Sequence, residues 1–224
     1  MISIITIDGP SGAGKGTISR LVASATGYHL LDSGALYRLT ALSSIKAGVD
    51  LDSESAVAEI AQHLAIEFVV EGDTTKVLLE NTDVSSDIRE ERVGMAASKV
   101  AAYMPVREAL LQQQRDFRRS PGLVADGRDM GTVVFPNALL KFFLTATSEE
   151  RAERRVRQLQ KSGVYPDYKK ILHDIRARDE KDQCRFSAPL KPAEDAVILD
   201  STSVSIEEVF NTVMEELKKK ISYD

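Results

Sequence analysis

A single cysteine, Cys184, stands among 224 residues. It excludes an intramolecular disulfide and a cysteine-based zinc site, and it fits a reducing cytosol. Histidine is scarce as well. His29, His63 and His173 lie far apart and show no ligand spacing, so a metal held by protein side chains alone is not expected. Positive charge is not in excess: 29 Lys+Arg against 34 Asp+Glu give a net charge of -5. A protein that coats DNA or RNA rests on the opposite balance, so no nucleic-acid partner is expected. No apolar run reaches the roughly 18 residues that a membrane span needs. The apolar start is interrupted by Asp8 and lacks the basic region of a signal peptide. These absences lead to the expectation of a cytoplasmic protein with no membrane partner. There is also no internal repeat and no low-complexity segment.

What is present is ordinary for a globular domain: 43% hydrophobic and 28% charged residues, in a chain long enough to bury a core without staples. Ser3 to Ile7 is short, β-branched and closed by Asp8-Gly9-Pro10, which predicts a buried strand. Helical spacing follows from Gly16 to Ala25, ended by Gly27. Tyr28 to Leu31 is a second strand, and Asp32-Ser33-Gly34 caps a helix from about Ala35 to Ala47. Three more short apolar runs, at Gly122 to Asp126, Leu140 to Leu144 and Ala196 to Leu199, complete five strands. Helical stretches at Ser148 to Gln160, Tyr168 to Lys181 and Ile206 to Lys220 cover them. Strand–helix alternation of this kind predicts an α/β fold with a five-stranded parallel sheet flanked by helices. The gap from Asp32 to Gly122 is too long for one crossover, so a subdomain is inserted there. Within it, Ile66 to Val70 and Lys76 to Leu79 flank a turn at Glu71 to Thr75 and predict a hairpin. Two helices follow, from Arg89 to Ala102 and from Val106 to Arg118.

Between the first strand and first helix runs Gly9-Pro10-Ser11-Gly12-Ala13-Gly14-Lys15-Gly16-Thr17. Glycines let the backbone wrap an anion, the helix N-terminus adds partial positive charge, and Lys15 adds a full one. The plainer alternative is a glycine-rich turn, but the strand before and the helix after are the context a phosphate loop needs. The residue after Lys15 departs from the strict pattern. Gly16 stands where a Mg²⁺-ligating Ser or Thr is usual, with Thr17 one step later. Mg²⁺ is then expected to be held by phosphates, water and a carboxylate.

Three further clusters fall where parallel strands end, the usual place for ligands. They are Asp32 to Arg38, Asp126 to Thr132, and Arg176 to Arg185. Residues 151–185 carry 11 Lys+Arg against 6 Asp+Glu, a net of +5, while the rest carry 18 against 28, a net of -10. This segment is either a solvated charged helix pair or a lid of arginines that neutralises phosphates during transfer.

The phosphate loop, Asp32-Ser33-Gly34-Ala35-Leu36-Tyr37-Arg38, Val106-Arg107-Glu108-Ala109-Leu110 and Asp126-Gly127-Arg128-Asp129-Met130-Gly131-Thr132 together closely resemble the bacterial cytidylate kinases, over essentially the whole chain. The resemblance implies a P-loop kinase with a monophosphate-binding subdomain at about 62–104 and a short helical lid at about 152–168. It implies transfer from ATP, with Mg²⁺, to CMP or dCMP by a monomer. Residues 9 to 17 would bind ATP. Lys15, Arg128, Arg178 and Arg185 would stabilise the transferring group. Asp32, Ser33, Arg38, Ser98, Arg107, Arg128, Asp129, Arg178 and Asp182 would bind CMP. The roles suit the chemistry. A guanidinium binds a phosphate through paired hydrogen bonds. Cytosine offers the N3 and O2 acceptors and the N4 donor, which Arg107 and Asp129 complement, whereas uracil turns the O4 lone pair toward that carboxylate. Plainer readings stay open for Arg107 (an ion pair on its own helix), Ser98 (helix packing) and Tyr37 (core). So do two other functions: a small P-loop kinase for UMP, shikimate or dephospho-coenzyme A, and a nucleotide-gated binding protein. Cys184 is read as an uninvolved thiol.

Overall fold

The computed structural model describes residues 2–71, 74–161 and 163–222. The turn expected at Gly72-Asp73, and Ser162 of the expected lid, lie outside the described residues. Strands β1 (Ser3–Asp8) and β2 (His29–Asp32) are joined by helix α1 (Lys15–Thr26), and α2 (Ser33–Lys46) follows. The long connection then holds α3 (Glu54–Gln62), strands β3 (Ile66–Glu71), β4 (Thr74–Leu79) and β5 (Thr82–Asp83), and helices α4 (Glu91–Val100) and α5 (Met104–Asp116). Strand β6 (Gly122–Gly127) returns to the sheet. A π-helical turn (Met130–Val134), β7 (Leu140–Thr145), α6 (Ser148–Lys161), α7 (Tyr168–Gln183), β8 (Val197–Asp200) and α8 (Ile206–Ser222) complete the chain.

The main sheet is parallel, in the order β2-β6-β1-β7-β8. Side-chain alternation divides its residues between two packed layers. Ile5, Ile7 and Val124 join Ile18, Val22, Phe142 and Val213 on one side. Ile4, Leu123 and Ala125 join Leu31, Leu36 and Leu39 on the other. The inserted segment builds a three-stranded antiparallel sheet, β3-β4-β5. Its buried side chains, among them Val77, Val93, Val106 and Leu110, belong to the same cluster as Leu36 and Leu123. The insertion thus packs on one face of the main sheet.

Three elements differ from the sequence reading. Helix α3 was not predicted, although Ser53 stands at its N-cap and Val57, Ala58 and Ala61 are buried on one face. The expected helix from Arg89 is split into a 3₁₀ turn at Asp87–Arg89 and α4, because Glu90 takes a non-helical conformation with ψ of 141°. Strand β5 adds a third strand to the predicted hairpin. Among the described residues, no helix is long and apolar enough to cross a membrane.

Register carries the fold to the site. Asp32 pairs with Asp126 across β2 and β6, and Asp8 pairs with Gly127 across β1 and β6. Three strand ends therefore deliver three aspartates to one edge of the sheet, directly beside the loop that follows β1.

Candidate active site

The loop from Gly9 to Gly14 turns on backbone conformations open mainly to glycine, with φ of 79° at Gly12 and 98° at Gly14. At Gly9 space decides as well, since an added Cβ would lie 1.9 Å from the Leu144 carbonyl oxygen. Lys15 is the first residue of α1, not part of the loop, and it is buried at 6% exposure. Lys15 thus packs within the fold as well as carrying charge. Its Nζ donates to the Pro10 carbonyl at 3.0 Å and sits 3.8 Å from Asp126 Oδ1. Burial lowers the Lys15 pKa to about 8, and nearby Arg128 adds to the effect against the pull of Asp126, Asp32 and Asp8. Burial raises Asp126 to about 7, opposed by Lys15. A Cβ on Gly16 would lie 3.5 Å from Asp126 Oδ2, so position 16 faces that carboxylate.

Two residues absent from the sequence reading brace this loop. Arg151 of α6 donates from Nη1 to the Ser11 carbonyl and from Nε to the Ala146 carbonyl, each at 3.0 Å, and pairs with Asp179 of α7. Ser201 donates to the Ala13 carbonyl at 3.1 Å. Arg151 was one of eleven basic residues in its segment, with nothing local to set it apart, and Ser201 is 188 residues from its partner. Arg178 of α7 points its Nη1 at Ser11 Oγ, 3.4 Å away, and its Nε is buried with no hydrogen-bond partner. Burial and the neighbouring Arg128 lower its pKa to about 10.

A second group of side chains gathers beyond the loop. Asp182, 2% exposed in the last turn of α7, accepts from Arg128 Nε at 2.8 Å and pairs with Arg185, which lies just past the helix end. Arg38 of α2 donates to the Ile88 carbonyl at 2.7 Å, and Gly94 leaves it room. Its pKa is lowered by burial and, against the pull of Asp32, by Arg155, Arg128 and Arg89. Arg107 of α5 pairs with Asp129 in a buried contact and lies over the Tyr37 ring, 5.9 Å from its centre. Thus Arg107 finds its acid across the site and not on its own helix. Tyr37 is in the core cluster, where burial pushes its hydroxyl up to about 12. An open cleft of about 320 Å³ runs between Ser98, Ala102, Arg178, Lys181, Asp182 and Arg185, with the exposed Cys184 at its rim.

Other predicted residues are engaged within the fold. Asp32 caps α2 by accepting from the Ala35 amide at 3.0 Å. Ser33 donates to Gln114 Oε1 at 2.8 Å, and Ser98 donates back along α4 to the Gly94 carbonyl at 3.1 Å. Thr17 lies in the first turn of α1. Among the described residues, no group of three or more His, Cys, Asp or Glu side chains could hold a metal. Buried oxygen donors at the loop do fit a hard cation bound chiefly through phosphates, with Asp126 as the nearest carboxylate to position 16.

Chemically, the arrangement offers a loop of amides with one ammonium for a polyphosphate. It sets arginines between that loop and a buried donor–acceptor pair, Arg107 and Asp129. The family model for cytidylate kinase matches residues 5–219. The cytidylate kinase of Vibrio vulnificus is 55% identical over 219 residues, covering 98% of this chain and 97% of that protein. That of Photobacterium profundum is 58% identical over 206 residues, covering 92% and 90%. Among solved structures, an uncharacterized protein from Eubacterium ventriosum aligns with a TM-score of 0.51 at 10% identity, over 96% of this chain and 98% of that one. It is similar in fold alone.

Proposed function

Since the chain belongs to the cytidylate kinase family, we propose that it transfers the γ-phosphoryl group of ATP to CMP and dCMP, as a cytoplasmic monomer. The observation that carries the choice of base is the buried Arg107–Asp129 pair beside the arginine cluster. The residues from Gly9 to Thr17 cradle the ATP phosphates, with Lys15 at the β- and γ-phosphates. Arg38 and Arg128 hold the phosphate of CMP, and Arg178 and Arg185 stand by the group in transfer. Asp182 and Arg178 take the ribose side, and Asp32 and Ser33 complete the CMP site. Ser98, Arg107 and Asp129 read the cytosine.

No general base is required, because an ionised phosphate oxygen is already a nucleophile. The protein's work is alignment and charge neutralisation. Asp182 now neutralises Arg128 and Arg185. An incoming phosphate dianion competes with that carboxylate, which frees the guanidinium edges for bidentate contact. Mg²⁺, held by ATP with help from Asp126, supplies further neutralisation of the phosphates when bound. Closure of the segment at about 62–104 and of the lid at about 152–168 once both substrates are in place excludes water during the transfer.

The test is a panel of nucleoside monophosphates with ATP, read as ADP release. CMP and dCMP should exceed UMP, AMP and GMP in kcat/KM by on the order of 10²-fold or more. Equal kcat/KM for UMP and CMP overturns the cytosine reading, and failure with every monophosphate overturns the kinase reading.

The lowered pKa of Lys15 gives a pH dependence of definite sign. Burial favours the neutral amine, so the active ammonium is lost as pH rises through about 8 in the free enzyme. kcat/KM for ATP should therefore fall above that pH. kcat, measured with the triphosphate bound against the ammonium, should hold to higher pH. Lys15→Arg, charged throughout, should show no alkaline limb at whatever activity it retains. An alkaline limb unchanged in Lys15→Arg assigns the titration to another group.

A further inference from the structure

Asp8 has no part in the roles above, yet it is among the most constrained carboxylates in the chain. It closes β1, one residue before the phosphate loop, and is 5% exposed. Its Oδ1 accepts from the Met130 amide at 2.8 Å and its Oδ2 from the Gly131 amide at 2.7 Å, across 122 and 123 residues of sequence. Those two amides follow Asp129 directly. The Asp129 carbonyl in turn accepts from Val133 and Val134, which anchors the turn at its start. Packing closes the other side: a Cβ on Gly131 would lie 2.9 Å from Thr6 Oγ1, 3.2 Å from Lys141 Cδ and 3.4 Å from Asp8 Oδ2.

We propose that Asp8 is a positioning residue for base selection, holding the backbone of Asp129 at the height from which its carboxylate reads the acceptor base. The proposal rests on the assignment of Asp129 to cytosine. Arg107 of α5 fixes the Asp129 side chain, and Asp8 fixes its main chain from the sheet side. Both oxygens of Asp8 accept, because both neighbours are N–H groups, and the ionised carboxylate does this best, whereas a protonated one must turn its O–H away from the amide and accept with its weaker hydroxyl oxygen. Burial raises the Asp8 pKa to about 6, while the two amides oppose that rise and keep the ion the main form at neutral pH. Asp8 also precedes Gly9, so one carboxylate ties the strand that carries the ATP loop to the loop that reads the acceptor.

The experiment measures kcat/KM for CMP and UMP in wild type, Asp8→Asn, Gly131→Ala and Asp129→Asn, with KM for ATP and the melting temperature alongside. In Asp8→Asn the amide NH₂ faces one of the two N–H groups, and in Gly131→Ala the methyl forces the turn off Asp8. In both, the CMP-over-UMP ratio should fall by about tenfold or more, the scale set by a lost buried hydrogen bond to a charged group. The loss should come through KM for CMP, with KM for ATP within about threefold of wild type. A purely structural role predicts a lower melting temperature and an unchanged ratio, and that result in either variant overturns the proposal. Amide exchange in the wild type gives a check that needs no substitution. Met130 and Gly131 should be strongly protected, and rapid exchange of both overturns the clamp even if neither variant folds. A wild-type ratio near one, or an unchanged ratio in Asp129→Asn, sinks the base reading itself. Expected behaviour at Asp129 with an unmoved Asp8→Asn sinks only the role of Asp8.

Discussion

Lys15→Met should fold and bind CMP, yet lose about 10²- to 10³-fold in kcat, or roughly 3 to 4 kcal/mol of transition-state stabilisation. The magnitude follows from where the charge sits. The ammonium is the only lysine at the start of α1, buried beneath the loop and aimed between the Pro10 carbonyl and Asp126. In that dry setting a charge on the transferring phosphoryl group is worth far more than at a surface. Methionine keeps the length of the stem and its packing, so the loss is of charge and not of volume. Stability should change little. Burial already disfavours the ammonium, and Asp126, raised by the same burial, can take a proton when its counter-ion is gone. The checks are single-turnover kinetics with both substrates saturating and a melting curve. Near-normal kcat in the folded variant means that the loop binds something other than the phosphates in transfer.

The sheet was legible because its strands obey one simple rule. Ile4, Ile5 and Ile7 form an apolar run that must be covered on both faces, and the glycines after it cannot extend the strand. The phosphate loop was legible for the same reason of local necessity, since Gly9 and Gly14 take shapes that few other residues tolerate. Helix α3 was not, because nine residues give the helical period too little length to stand out from a loop. At the site, residue types were legible while their partners were not. Arg128, Arg185 and Asp182 could be named from the sequence, but that a single carboxylate neutralises both arginines depends on α7 docking against the loop after β6. Arg151 and Asp8 act through backbone groups 140 and more than 120 residues away, and no spacing rule reaches that far. The sequence therefore marks where charge is concentrated more readily than which charges hold the protein's own main chain.

Asp129→Asn should close most of the gap between CMP and UMP. A site built around one hydrogen-bonded group can reject the analogue lacking it by up to about 10⁴-fold. In the proposed reading the carboxylate accepts from the N4 amino group of cytosine and repels O4 of uracil. The asparagine amide can present Nδ2 to O4 while its oxygen still faces Arg107, so UMP gains as CMP loses, and the ratio should fall by on the order of 10²-fold or more. The substitution also strips Arg107 of its counter-ion where both side chains are nearly buried, at 9% and 5% exposure. Breaking such a pair costs about 3–5 kcal/mol, and the retained hydrogen bond should put this variant near the lower end. A drop in melting temperature without a change in the ratio would make the pair structural. A change in the ratio beyond what Arg107→Met produces alone would assign the discrimination to the carboxylate. The double variant decides how the two are coupled: a pair that reads the base as one unit loses little more on the second substitution than on the first, whereas independent contacts lose the sum.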